Sequence, residues 1–125
     1  MKQLLLIPML FVCYLGMGQS NIIGKPIKIG KIKVAQNDLS YKQNFDDAKA
    51  KCRNLGEGWR LPTFDELKMI YDKRFDIGGL DGTQYWSSTL NDDGFSGAWY
   101  KNFWFNAQNI DNLANSNTVR CVKNN

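Results

Sequence analysis

Residues 56–74 read GEGWRLPTFDELKMIYDKR, and their order dictates a change of local structure within a few positions. Trp59 and Leu61 flank Arg60, so on an extended backbone the two apolar side chains point one way and the arginine the other. Pro62 keeps Leu61 out of helical geometry. Thr63 followed three residues later by Glu66 is the spacing of a capping box, in which hydroxyl and carboxylate each satisfy a backbone N–H at a helix start. Phe64, Leu67, Ile70 and Tyr71 then recur at helical spacing and give that helix an apolar face. Trp59, Pro62, Thr63 and Glu66 thus have structural tasks, and the stretch is a joint between a strand and a helix. Arg60 is the residue left over, and Asp65 or Glu66 is the natural partner for its guanidinium.

Upstream of the joint, Asn44 is placed to cap a helix with Asp46 and Asp47 in its first turn and Lys51 and Arg53 in its last, charges that suit the helix dipole at both ends. Phe45, Ala48, Cys52 and Leu55 form one stripe, and Gly56 or Gly58 ends the run. Cys52 therefore sits on the buried face. Further back, IKIGKIKV (27–34) alternates apolar residues with lysine except where Gly30 breaks the parity, which predicts an exposed edge strand bulged or bent at the glycine.

Downstream, FDIGGLDGTQ (75–84) is rich in turn residues. YWSST (85–89), AWYKNFWF (98–105) and TVRCVK (118–123) have strand composition, and NDDGFSG (91–97) and the asparagine-rich stretch to Asn117 read as loops. Alternation along 98–105 puts Trp99, Phe103 and Phe105 with Lys101 on one face, and the Trp99 ring is assigned to the core. Tyr100 and Trp104 fall on the other, with Asn102 and Asn106. Flat apolar rings beside amides are what carbohydrate or peptide binding needs. Tyr100, Asn102, Trp104 and Asn106 are accordingly the candidate ligand-binding residues, and plain packing of these rings beneath the asparagine-rich loop is the competing account.

The first 18 residues read as a secretory signal peptide: Lys2, an apolar run from Leu4 to Leu15, then Gly16-Met17-Gly18 at a cleavage site. A lipoprotein signal ending at Cys13 fits less well, because Val12 stands where a small residue belongs. Residues 19–125 then form a single domain. Loss of Lys2 lowers the net charge from +4 to +3, too little and too local for nucleic-acid binding. No apolar run after the leader is long enough to span a membrane. Two cysteines remain, Cys52 and Cys121; in an exported protein they most simply form one disulfide, and in a cytosolic one they would stay free thiols.

The succession KC..LG.GWRLPT.DEL, YWSST, AWY.NF and VRCVK, in that order over residues 44–123, resembles the Lcl C-terminal domain, the C-terminal part of bacterial collagen-like surface proteins. That family resembles a branch of the C-type-lectin-like superfamily. The resemblance implies an α+β fold with two helices packed on small, mostly antiparallel sheets and one disulfide. It also places Cys52 and Cys121 where such domains pair a first-helix cysteine with one in the last strand. Calcium-dependent sugar-binding lectins of this fold carry Glu-Pro-Asn or Gln-Pro-Asp and a following Trp-Asn-Asp; this chain has none of them, so calcium-mediated sugar binding does not carry over.

The remaining chemistry is limited by what is missing. The sequence contains no histidine, which removes Ser-His-Asp and Cys-His catalysis and the usual zinc sets. An EF-hand register ending on Gly94 would place Thr89 and Tyr100 where acids are required, so 91–94 reads as a polar turn. No cofactor motif is found. The expected function is a noncatalytic, calcium-independent binding or adhesion module, secreted or at the cell surface, for a glycan or protein. The alternatives are an enzyme related to formylglycine-generating sulfatase-modifying proteins, which share an RLPT…E joint, and a structural envelope component.

Overall fold

In a computed structural model the protein is described from residue 21 to residue 125. The expected leader, 1–18, and Cys13 lie outside the described residues. The elements follow the order β1 (Ile27–Ile29), β2 (Ile32–Val34), α1 (Phe45–Arg53), α2 (Phe64–Asp72), α3 (Arg74–Ile77), β3 (Gln84–Leu90), β4 (Ala98–Asn102), β5 (Ala107–Asp111) and β6 (Val122–Asn124). Two antiparallel three-stranded sheets result, ordered β1-β2-β6 and β3-β4-β5.

IKIGKIKV is not one bulged strand but a hairpin. Gly30 takes φ 53° in a two-residue loop with Lys31, the position a type II′ turn gives to glycine. The reversal restores the parity that a single strand would break. Ile29 faces Ile32 and Ile27 faces Val34 across the pair, while Lys28 faces Lys33, which in turn faces Lys123. Three lysines therefore form a row across the exposed face of this sheet. Like charges directly opposite oppose pairing by a few tenths of a kcal/mol, about 0.2–1, so the apolar face must hold the sheet.

Both long helices start as the sequence predicts. The Asn44 side chain accepts from the Asp47 N–H at 2.9 Å, and Thr63 and Glu66 form the reciprocal capping box. The core divides into two apolar clusters. One surrounds the disulfide and contains Phe45, Ala48, Trp59, Leu61, Trp86 and Val119. The other lies between α2 and the two sheets and contains Ile32, Val34, Leu67, Ile70, Tyr85, Phe103 and Val122.

Cys52 of α1 is bonded to Cys121 with Cα atoms 5.5 Å apart, across a separation of 69 residues. The strand expected over 118–123 is shorter than read. Residues 118–121 instead run between the two sheets: Thr118 exchanges backbone bonds with Gln84 and Trp86, and the carbonyls of Val119 and Cys121 accept from Leu39 and Ala35. The segment serves as a seam, and only Val122–Asn124 joins a sheet.

The joint is organised as its residues dictate. Trp59 and Leu61 are buried, and Arg60 pairs through its backbone with Val122. Its guanidinium meets Glu66 through two nitrogens, Nη1 to Oε1 at 2.7 Å and Nη2 to Oε2 at 2.9 Å. Nη2 also reaches Asn124 Oδ1, and Nη1 the Leu61 carbonyl. Glu66 Oε1 additionally accepts from the Thr63 N–H at 2.9 Å, so one carboxylate both completes the cap and holds the arginine. These bonds, led by the one to Arg60, hold the Glu66 carboxyl below its ordinary pKa. The joint is tied to β3 as well, because Phe64 N–H donates to Thr89 Oγ1 and Ser88 N–H to the Pro62 carbonyl.

Candidate functional site

The aromatic segment 98–105 does not continue as one strand. β4 ends at Asn102, which pairs with Ala107, and residues 103–106 form a four-residue hairpin loop. Asn102 Oδ1 accepts from the backbone N–H groups of Trp104 and Phe105 at 2.9 and 3.0 Å. Asn106 adopts φ 52°, a left-handed conformation that asparagine tolerates better than most residues. Its side-chain oxygen accepts from Lys101 Nζ, which also reaches Gln108. Burial holds the Lys101 ammonium below its ordinary pKa. The polar side chains of the loop are thus committed to its own backbone and to one another, and two of the rings are left over.

Strand alternation consequently fails beyond Asn102. Phe103 turns inward onto Tyr85, ring centroids 4.5 Å apart, and meets Tyr71 edge-on at 5.1 Å. Trp104 and Phe105 turn outward, 68% and 76% exposed. The expected row of Tyr100, Asn102, Trp104 and Asn106 on one strand face is therefore corrected in its geometry. Tyr100 is a half-buried strand residue paired with Trp86, Asn102 is buried beneath the loop, Asn106 closes the loop at the surface, and Trp104 is the exposed ring of the four. Trp99, assigned to the core, is half-buried with its ring 5.4 Å from that of Phe64.

The loop meets the turn-rich segment 75–84, which begins with a helical turn. Residues 74–77 form the short helix α3, followed by Gly78 and Gly79 at φ 77° and 67°. Successive positive φ values bend the chain sharply back, a path open chiefly to glycine. Phe75, at the surface of α3, is 86% exposed. Arg74, Phe75, Gly78–Asp81, Phe103 and Trp104 enclose a groove of about 290 Å³.

A ladder of rings leads from the core to this groove. Beyond Tyr85, Phe103 and Tyr71, the Arg74 guanidinium carbon lies 3.9 Å from the centre of the Tyr71 ring and 4.5 Å from that of Phe75. Arg74 Nη1 donates to the Tyr71 carbonyl at 2.9 Å. No carboxylate pairs with this arginine among the described residues. The groove wall is also anchored from within. Buried Arg120 donates through Nη2 to the Gly79 carbonyl at 2.7 Å, through Nη1 to Ala35, and through Nε to Asp38 Oδ1 at 2.7 Å. Asp38 Oδ2 accepts from the Tyr85 hydroxyl at 2.7 Å. Burial raises the Asp38 carboxyl against the pull of Arg120 and Tyr85, and burial with the neighbouring Asp38 raises the Tyr85 hydroxyl.

Other parts of the surface offer less. A cavity of about 370 Å³ beside α1 is lined mainly by Ile22, Leu39, Tyr41, Gln43 and Leu55, without a group of outward-facing rings. In the 91–97 loop, the Asp93 carboxylate accepts from the Phe95 and Ser96 N–H groups. No group of three potential metal-ligating side chains is gathered among the described residues. Cys52 and Cys121 are buried and paired.

The family described as the Lcl C-terminal domain matches residues 28–123. The chain belongs to that family. Among solved structures, this Lcl C-terminal domain is similar to the snake venom toxin convulxin, with TM-score 0.61, 8% identity, and 82% of this chain and 96% of that one covered. It is also similar to EMS16, an antagonist of the collagen receptor integrin alpha2beta1, with TM-score 0.60, 10% identity and coverage of 80% and 97%. Botrocetin follows at TM-score 0.57, 14% identity and coverage of 81% and 96%. At such identities the likeness establishes the C-type-lectin-like fold. No curated protein matches the chain in sequence.

Within this fold, Trp104 and Asn106 are the candidate residues that the structure leaves exposed, and Trp104 is the ring among them. Arg74, Phe75, Asp81 and the glycine pair were not singled out. Their one signal was Gly78-Gly79 three residues after Phe75, which marks a forced reversal close to a ring. No helix among the described residues is long and apolar enough to cross a membrane.

Proposed function

We propose that this Lcl C-terminal domain is a noncatalytic, calcium-independent adhesion or recognition module of an exported protein, and that it takes a glycan at the groove between α3 and the 103–106 loop. The reading rests on one observation. Three large rings, Phe75, Trp104 and Phe105, are exposed on backbone held by Asn102, Asn106 and Gly78-Gly79. Exposed aromatic surface on a fixed loop has no packing role, and flat rings match the apolar faces of sugars while neighbouring polar groups fix orientation. Export follows from the expected leader and agrees with the disulfide. The neighbour that antagonises an integrin lends the same fold to protein recognition, so a protein ligand at this groove is the second reading. A glycan-array screen of residues 19–125, with calcium and with chelator, tests the proposal. The expected result is one class of glycan bound equally in both conditions and lost in Trp104→Ala. Binding that requires calcium, or that survives Trp104→Ala, would refute it.

A further inference from the structure

We propose that the groove selects a sugar carrying a carboxylate, a uronic acid unit, through Arg74; this rests on the glycan reading above. The guanidinium is fixed before any ligand arrives. Its carbon lies over Tyr71 at 3.9 Å and Phe75 at 4.5 Å from the ring centres, and one nitrogen is held by the Tyr71 carbonyl. Nη2 and Nε have no protein partner among the described residues. An arginine presents five N–H donors in a planar fork that matches a carboxylate. The ring contacts are recorded at the guanidinium carbon, and the Nη2 and Nε donors remain available.

The contrast with Arg60 and Arg120 is chemical. Arg60 has Glu66 and Arg120 has Asp38, each with additional oxygen acceptors. Arg74 lines a cavity with Trp104 and Asp81 and has no counter-charge. A uronic acid ring fits this arrangement. Its apolar face lies on Trp104, its carboxylate meets Arg74, and its hydroxyls donate to Asp81. The Asp81 charge also turns the carboxylate away from itself, which fixes the direction in which the sugar lies.

The row of Lys28, Lys33 and Lys123 supplies the rival explanation for any acidic ligand, because it attracts polyanions without selecting a ring or a carboxylate. Trigalacturonate and its fully methyl-esterified form share one ring geometry and differ in charge, so they separate the two. Titration calorimetry of the mature chain should show trigalacturonate binding about tenfold or more tightly than the ester, the scale of a charge-assisted pair. Arg74→Gln should bring both probes to the same weak affinity, Arg74→Lys should restore part of the preference, and Lys28→Gln/Lys33→Gln should leave it unchanged. Melting temperatures of all variants check that they fold. Equal affinity for the two probes, or a preference lost in the lysine variant and kept in Arg74→Gln, would overturn the inference. If neither probe binds while a neutral glycan binds through Trp104, the carboxylate inference falls and the glycan reading stands. If no glycan depends on Trp104, both fall together.

Discussion

The joint at residues 59–66 and the loop at 103–106 are both dense in aromatic and polar groups, and they use them in opposite ways. In the joint the polar groups bind one another, as Arg60 does Glu66, and also reach other segments: Arg60 meets Asn124, and the Pro62 carbonyl and Phe64 N–H join β3. The rings and aliphatic groups fill the space that those bonds enclose. In the loop the polar groups bind their own segment, through Asn102, Lys101 and Asn106. Two of its three rings are consequently left in water. The difference teaches that aromatic density alone does not distinguish core from site; what matters is whether neighbouring hydrogen bonds close around the rings or beneath them.

The sharpest way to break this contrast is to truncate a core ring. Trp86 is fully buried, meets Phe45 edge-on and donates its indole N–H to the Gln43 carbonyl at 2.8 Å. Trp86→Ala should lower unfolding free energy by about 3–5 kcal/mol in urea denaturation, from lost burial and an empty cavity. A loss below about 1 kcal/mol would mean that this cluster is not the structural centre. Next in size is the disulfide. Reduction under native conditions should lower stability by roughly 2–4 kcal/mol, since the bond closes a long loop in the unfolded chain, and no thiol should alkylate before reduction. Unchanged stability on reduction would remove the staple from the account.

The disulfide and the joint are legible in the sequence, whereas the burial of Trp86 is not, because YWSST shows strand composition alone. The capping box, the proline and the Trp59-Arg60-Leu61 alternation act between residues only a few positions apart, so their consequences can be read locally. The features missed depend on tertiary context. β5, Ala-Gln-Asn-Ile-Asp, is mostly exposed and pairs on one side with β4, so it shows no apolar alternation and reads as a loop. α3 has four residues and no side-chain cap, too few to produce a period. The end of β4 is set by Asn102 bonding two amides ahead of it, which strand alternation cannot register. Trp104 was identified from a face that does not exist as drawn, yet its exposure follows from the same loop that interrupts the face.

A smaller effect sharpens the joint's side of the comparison. The Glu66 carboxyl is held below its ordinary pKa by Arg60 and the cap, so the folded state binds its proton less readily than the unfolded chain does. Its contribution is fully present above the ordinary glutamate value of about 4.3 and is lost as pH falls through the depressed one. The stability difference between the native chain and Glu66→Gln should therefore be largest near neutral pH and shrink on acidification. A difference that is constant or grows towards low pH would show that the carboxylate charge does not hold the joint.

The most direct test of the central claim pairs two measurements on Trp104→Ala: its melting temperature, and titration with whichever array glycan binds the native chain best. The account predicts a melting temperature within about 4 °C of the native chain, as for a surface substitution, together with loss of binding. A fall in stability comparable to that of Trp86→Ala, with glycan affinity retained, would contradict it.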